Sequence, residues 1–155
     1  MNNRDDVPGY GYQLKKGATT LTESWPALKD VSNNHLMLGH IMEWFYSGLA
    51  GISQEDSSVA FKHIKIRPQP VGDITYTKGS FHTPYGWVTS AWQKTGSSFV
   101  LKVHIPVNTT ATIYLPAGKG NVYVNGVMQT AGTLPTRDNK VLLQEAAGDY
   151  TFEIR

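Results

Sequence analysis

The spacing of apolar residues along the chain changes from a helical period to a strand period near residue 55. Before that point one helix is predicted from Asn34 to Ala50, with N-cap oxygens at its start and glycines near its end. Its apolar positions cover more than one face. They are Leu36, Met37, Leu38, Ile41, Met42, Trp44, Phe45 and Leu49. The pattern predicts a helix that needs burial on nearly all sides.

After a polar stretch at Ser53 to Ser58, which is typical of a linker, apolar and polar residues alternate as in strands with one buried face. About eight short strands are expected, separated by turn residues such as Pro106 to Asn108 and the pair Asn125-Gly126, which suits a tight hairpin. The predicted strands cover 61–67, 74–81, 86–94, 99–105, 110–115, 121–127, 140–144 and 150–154. Strands at this spacing favour an antiparallel β-sandwich.

The predicted fold is therefore an α+β chain, a short helical segment followed by an antiparallel β-sandwich. We expect the first part to span residues 1–55 and the sandwich to span residues 56–155. About 50 residues with one helix that is apolar on all sides hold too few other elements to cover it. The expected cover is either the sandwich, a further stretch of polypeptide or a second copy of the chain, and we favour polypeptide outside this sequence.

Composition narrows the classes of function. The 155 residues carry a net charge of +2 and 17% charged residues, with no basic stripe, so nucleic acid and membrane surfaces are not expected partners. The absence of cysteine excludes disulfides and thiolate chemistry but leaves cytoplasm and periplasm open. The polar start, Met1 to Asp6, does not resemble a signal peptide, and no apolar run reaches the roughly 20 residues of a membrane span.

Glu23 lies in the stretch GATTLTESW, residues 17–25, between small or hydroxyl-bearing residues and a tryptophan. A lone glutamate in such a place is ordinarily a solvated loop or capping residue, and the residue type by itself favours that role. The five histidines form no His-x-x-x-His or Glu-x-x-His set, so a catalytic metal is not expected, and no loop dense in carboxylates indicates calcium. No glycine-rich phosphate loop is present either, and no cofactor is predicted.

Several motifs, taken together and in order, resemble the C-terminal part of the bacterial α-L-rhamnosidases. In the first third they are YGYQL (10–14), GATTLTESW (17–25), NH (34–35), Gly39, EWFY (43–46) and GLAGI (48–52). In the strand-rich part they are FKHI (61–64), IRP (66–68), GD (72–73), TPYG (83–86), Trp92 and IPVNTTA (105–111). The resemblance implies the end of an (α/α)6 catalytic barrel followed by the C-terminal β-domain of that family.

The resemblance also implies an activity, the inverting hydrolysis of terminal α-L-rhamnosyl residues from a rhamnose-containing glycoside. It makes Glu23 the general base that activates the attacking water, supported by hydrogen bonds from hydroxyls such as those of Thr19, Thr20 and Ser24. Inverting glycosidases need a second carboxyl group as general acid, roughly 6.5–9.5 Å from the base. In the family that acid lies upstream, and no segment here matches it, so this chain is expected to be inactive alone.

Two further residues are implicated in substrate binding. By the same resemblance the histidine of the Asn-His pair, His35, contacts the bound rhamnose, whereas the ordinary alternative is a capping-region histidine. Trp25 stacks on a sugar face or anchors its loop in the barrel, and we favour the anchor.

A second class of function stays open, a non-catalytic carbohydrate-binding or structural β-sandwich module. Its sugar-stacking candidates are Tyr76, Tyr85, Trp87 and Trp92. Trp87 and Trp92 are five residues apart and fall on opposite faces of a regular strand, so at least one of them is expected to point into the core.

Overall fold

The computed structural model describes residues 4–26, 30–116, 120–130 and 134–155. Residues 1–3, part of the polar start considered above, lie outside the described residues. By their contacts the residues fall into two compact units, Met1–Glu43 and Trp44–Arg155. In the described part of the chain, no helix is both long and apolar enough to cross a membrane.

The first unit contains short helical elements and loops. A six-residue α-helix, α1, covers Tyr10–Lys15, and a 3₁₀ helix covers Leu36–His40. The chain continues as a short α-helix, α2, at Ile41–Trp44 and then, within the second unit, as a π-helical turn at Phe45–Leu49. The predicted helix is thus present at nearly the expected bounds, but its winding changes twice along its length.

In its described residues, the second unit is a β-sandwich built from one nine-stranded sheet. In chain order its strands are β1 Ile52–Gln54, β2 His63–Ile66, β3 Tyr76–Thr83, β4 Gly86–Thr95, β5 Ser98–Pro116, β6 Val122–Val124, β7 Val127–Met128, β8 Thr136–Arg137 and β9 Lys140–Ile154. The helix followed by a β-sandwich confirms the predicted fold class. The first residues of the predicted linker belong to β1, because Ser53 pairs with Lys65 of β2.

The long strands β5 and β9 pair with each other along almost their whole length and hold the sandwich together. The first half of β5 also pairs with β4, and its second half pairs with β2. Between Ile105 and Thr110 the register shifts, and Asn108 adopts a positive φ of 62°. The sequence predicts two strands here because Pro106 to Asn108 resembles a turn; in the structure the bulge bends one strand instead.

The core is formed by residues that both halves of the sheet contribute. Ile64 and Ile66 of β2, together with Ile113 of β5, are fully buried, as are Leu101 of β5 and Phe152 of β9. The pairing of β2 with β5 is parallel, whereas the other described pairs are antiparallel. An antiparallel sandwich is thus an accurate prediction except at this one pair.

The two tryptophans of β4 lie on opposite faces, as the alternation predicts. Trp92 is only 2% exposed, and its indole N–H donates a 2.8 Å hydrogen bond to the Leu49 carbonyl. Trp87 is 56% exposed, and its ring meets His82 edge-on. The hairpin at Asn125-Gly126 is also present, with positive φ at both residues, which is the geometry of a type I′ turn.

Candidate active site

Glu23 lies in an exposed loop of the first unit, where two hydrogen bonds connect it to Ser32. Its backbone N–H donates to the Ser32 carbonyl at 2.9 Å, and its Oε2 accepts from the Ser32 backbone N–H at 3.1 Å. This backbone N–H holds the carboxylate by one of its two oxygens. The loop therefore presents one oxygen of Glu23 without a hydrogen-bond partner in the described part of the chain.

His35 and Glu23 belong to the same two segments, which are paired through their backbones. The His35 N–H donates to the Leu21 carbonyl at 2.9 Å, two residues before Glu23 on the opposite segment. The ring Nδ1 accepts a 3.2 Å hydrogen bond from the Met37 N–H, at the start of the 3₁₀ helix. Because Nδ1 acts as acceptor, the neutral ring carries its proton on Nε2, which is then available to donate to a ligand.

Trp25 is half-buried and packs against another residue of the first unit. Its ring meets Tyr10 edge-on, with the ring centroids 5.0 Å apart and the planes at 76°. The Tyr10 hydroxyl in turn donates a 2.5 Å hydrogen bond to the carbonyl of Leu38. This is the packing that the loop-anchor alternative requires, and it connects the loop of Glu23 to the helical turn that follows His35.

The hydrogen bonds around Glu23 differ from those that the sequence predicts. The carboxylate is bonded by the Ser32 backbone rather than by neighbouring hydroxyls, and the hydroxyl of the buried Thr22 donates to the Ser24 carbonyl at 2.7 Å. Ser32 was missed as a site residue, because a contact nine residues away depends on loop closure and has no local sequence signal.

Two other carboxylates of this unit, Asp5 and Asp6, are poor candidates for a general acid. Asp6 bonds the Arg4 guanidinium at 2.7 Å, and this hydrogen bond lowers the pKa of the Asp6 carboxyl, the opposite of what an acid catalyst needs. Asp5 forms an ion pair with Lys15 at 3.1 Å. Within residues 4–26, 30–116, 120–130 and 134–155, no three histidine, aspartate or glutamate side chains are grouped to hold a metal ion.

Comparison with known families divides the chain into two matches that follow one another. Residues 1–49 match the model of the bacterial α-L-rhamnosidase six-hairpin glycosidase domain. Residues 51–129 match the model of the bacterial α-L-rhamnosidase C-terminal domain. The first match contains Glu23, Trp25 and His35, and the second contains most of the sandwich. The helical segment and sandwich thus belong to a carbohydrate-active class of protein.

Individual relatives agree with both matches. An α-L-rhamnosidase of Streptomyces avermitilis is 30% identical over 95% of this chain, and one of Formosa agariphila is 30% identical over 97%. The α-L-rhamnosidase structure from Dictyoglumus thermophilum superimposes on the whole chain with a TM-score of 0.90 and 29% identity, covering 18% of that protein. The Streptomyces avermitilis structure, complexed with L-rhamnose, gives a TM-score of 0.85 at 27% identity over the whole chain and 16% of that protein.

The chain belongs to the bacterial α-L-rhamnosidase family. It spans 15% of the length of the Streptomyces relative and 18% of the Formosa relative.

Proposed function

We propose that this chain is the C-terminal part of an inverting α-L-rhamnosidase and that Glu23 is its general base. The observation that carries the proposal is the paired loop of the first unit, in which Ser32 orients the Glu23 carboxylate and His35 is paired two residues from it. This arrangement lies within the segment that matches the family's glycosidase domain. The substrate proposed is a glycoside with a terminal α-L-rhamnosyl residue.

The proposed chemistry assigns each residue a separate step. The free oxygen of Glu23 takes a proton from a water molecule as the water oxygen attacks the anomeric carbon, and the glycosidic bond to the leaving group breaks. The proton accepted by the leaving oxygen comes from a general acid that lies outside this chain. His35 donates from Nε2 to a sugar hydroxyl, and Trp25 keeps the loop in place through Tyr10.

We further propose that residues 1–55 are the end of a catalytic α/α barrel and that residues 56–155 are a sandwich of mainly structural role. The unsatisfied polar atoms of the first unit support this view. Gln13 Nε2 and Ser24 Oγ are buried without a hydrogen-bond partner in the described residues. Buried polar groups are nearly always bonded, so these two atoms are suited to partners on the remainder of a barrel.

The test compares the isolated chain with a chimera. In the chimera, this chain replaces the matching segment of the Dictyoglumus thermophilum enzyme, and both proteins are assayed with an aryl α-L-rhamnoside. We expect no turnover from the isolated chain and measurable turnover from the chimera. In the chimera, Glu23→Gln should lower kcat by about 10²–10⁴-fold, the usual contribution of a general acid or base. Asp73→Asn, at an exposed carboxylate of the sandwich, is the control and should leave kcat unchanged.

A chemical rescue separates a general base from a residue of merely structural importance. In the chimera carrying Glu23→Ala, added azide should restore turnover and yield the inverted glycosyl azide, because an anionic nucleophile needs no base. Turnover by the isolated chain would disprove the incomplete-site proposal. Full activity of the Glu23→Gln chimera would disprove the role of Glu23.

A further inference from the structure

One face of the sandwich, away from the core, presents a row of side chains that the proposed hydrolysis does not use. On β4, Val88, Ser90 and Trp92 are buried, so the alternating residues Ala91 and Gln93 point outward. Directly opposed residues of an antiparallel pair share a face. This outer face is formed by β3, β4 and β5.

Two lysines lie on this face in a single row across three strands. Lys78 of β3 is opposite Ala91 of β4, and Ala91 is opposite Lys102 of β5. Two strand spacings separate the lysines, which places their Cα atoms about 10 Å apart. Both side chains are exposed, and neither has an ion pair or a hydrogen bond in the part of the chain that the structure describes.

An aromatic ring and an amide lie in the adjacent row. Tyr76 of β3 is opposite Gln93 of β4, about 7 Å along the strands from the lysine row. Tyr76 is 73% exposed and has no aromatic partner among the described residues. Because Ala91 is small, the centre of the face is a depression of about 350 Å³, which Tyr76, Lys78, Ala91, Gln93 and Lys102 line.

These groups match the chemistry of an acidic sugar. The exposed ring of Tyr76 can pack on the apolar C–H face of a pyranose, and the Gln93 amide can both donate to and accept from hydroxyl groups. Lys78 and Lys102 are suited to a carboxylate or sulfate group, because hydrogen bonds to charged groups are the strong ones. The nearest carboxylates of the face are bonded elsewhere, since Asp149 bonds His104 at 2.7 Å and Glu153 bonds Arg155 at 3.4 Å.

We propose that this outer face of β3, β4 and β5 binds an acidic oligosaccharide or polysaccharide, at a site separate from Glu23. A nucleic-acid surface is the less suitable assignment. A surface that binds the phosphate backbone of a nucleic acid needs a stripe of several basic side chains. This face has two lysines in one row, and the chain has a net charge of only +2. The proposal concerns binding alone and does not depend on the chain having hydrolytic activity.

The test is isothermal titration calorimetry with the chain at low salt. The probes are tetragalacturonic acid for carboxylates, a sulfated dextran oligosaccharide for sulfates, and maltotetraose as the neutral sugar. We expect binding of at least one acidic probe and none of maltotetraose. The acidic probe that binds identifies the acid group. Added salt should weaken the binding, because the charges are exposed.

Variants connect the binding to the face. Lys78→Ala/Lys102→Ala should weaken binding of the acidic probe by about tenfold or more, because two charge-assisted contacts are lost. Lys94→Ala is the control, since Lys94 is an exposed lysine of β4, the strand between the two, and its side chain points to the side of Trp92. Tyr76→Phe should retain binding and Tyr76→Ala should weaken it. Circular dichroism confirms that each variant is folded.

Three results would overturn the proposal. The first is that neither acidic probe binds, and the second is that maltotetraose binds as tightly as the acidic probes. The third is that single-stranded DNA binds at least as tightly as the acidic probes and loses affinity in the same lysine variant. None of these results bears on rhamnoside turnover, so this proposal and the proposed function fail separately.

Discussion

The indole N–H of Trp92 donates a hydrogen bond to the Leu49 carbonyl, and both groups are buried. Among the side-chain hydrogen bonds of the described residues, this carbonyl accepts no other. Replacing the ring with phenylalanine removes that donor and leaves the carbonyl unpaired in the core. We expect Trp92→Phe to lower the free energy of unfolding by about 1–3 kcal/mol, the usual cost of an unsatisfied buried group.

Urea denaturation followed by circular dichroism measures this change. The matched control is Trp87→Phe on the same strand, where the side chain is exposed. The control should change the free energy of unfolding by less than about 0.5 kcal/mol, as most surface substitutions do. Equal losses in the two variants would contradict the assignment of Trp92 as the core tryptophan.

At the scale of elements, Gly51 joins the end of the helical segment to β1 in a space that admits no side chain. Its φ is 75°, and an ideal Cβ would lie 2.2 Å from the backbone nitrogen of Pro68. The close approach is fixed by the 2.8 Å hydrogen bond from the Arg67 N–H to the Gly51 carbonyl. The junction therefore requires glycine for both its backbone angle and its contact distance.

Gly126 of the hairpin between β6 and β7 has a similar φ of 80°, but open space surrounds the position of its Cβ. Gly126→Ala should therefore cost only the backbone strain, about 1–2 kcal/mol. Gly51→Ala should cost that strain and about 1–3 kcal/mol more for the clash. Thermal or urea unfolding of both variants tests the difference, and a Gly51 variant as stable as the Gly126 variant would show that the junction moves freely.

At the scale of the whole molecule, the apolar helix that the sequence predicts keeps part of its surface in solvent. Leu36 is 85% exposed, and Met37 and Met42 are more than half exposed. Groups of large exposed apolar side chains are typical of interaction surfaces. Since the chain spans under a fifth of its curated relatives, the remaining polypeptide is the proposed cover, and a second copy is the alternative when the chain is isolated.

The isolated chain should therefore associate with itself as its concentration rises. Leu36→Glu/Met37→Glu should shift it toward the monomer in sedimentation velocity experiments, because each substitution places a charge on the apolar surface. Val127→Glu/Met128→Glu introduces the same charges at exposed apolar residues of the hairpin and should leave association unchanged. A wild-type chain that stays monomeric at high concentration would argue against this prediction.

Much of the fold could be predicted from local pattern. The alternation in β3, β4 and β5 identified the strands within a few residues, and Asn125-Gly126 identified the hairpin, because side-chain period and turn geometry depend on neighbouring residues. At Pro106 to Asn108 the local pattern predicts a turn between two strands, whereas the structure has one bent strand, β5. The strand that keeps β5 continuous is β9, which lies more than thirty residues further along the chain. Motif resemblance pointed to Glu23, whose catalytic role stays a prediction.

The sequence by itself determined the family, the order of helix and strands, and the candidate residues Glu23, Trp25 and His35. Only the tertiary structure decided that Ser32 bonds the carboxylate of Glu23 and that Lys78 and Lys102 share one row. The reason is physical. The period of apolar residues depends only on residues close together in the sequence. Strand register and loop closure depend on which distant segments bury their apolar faces together.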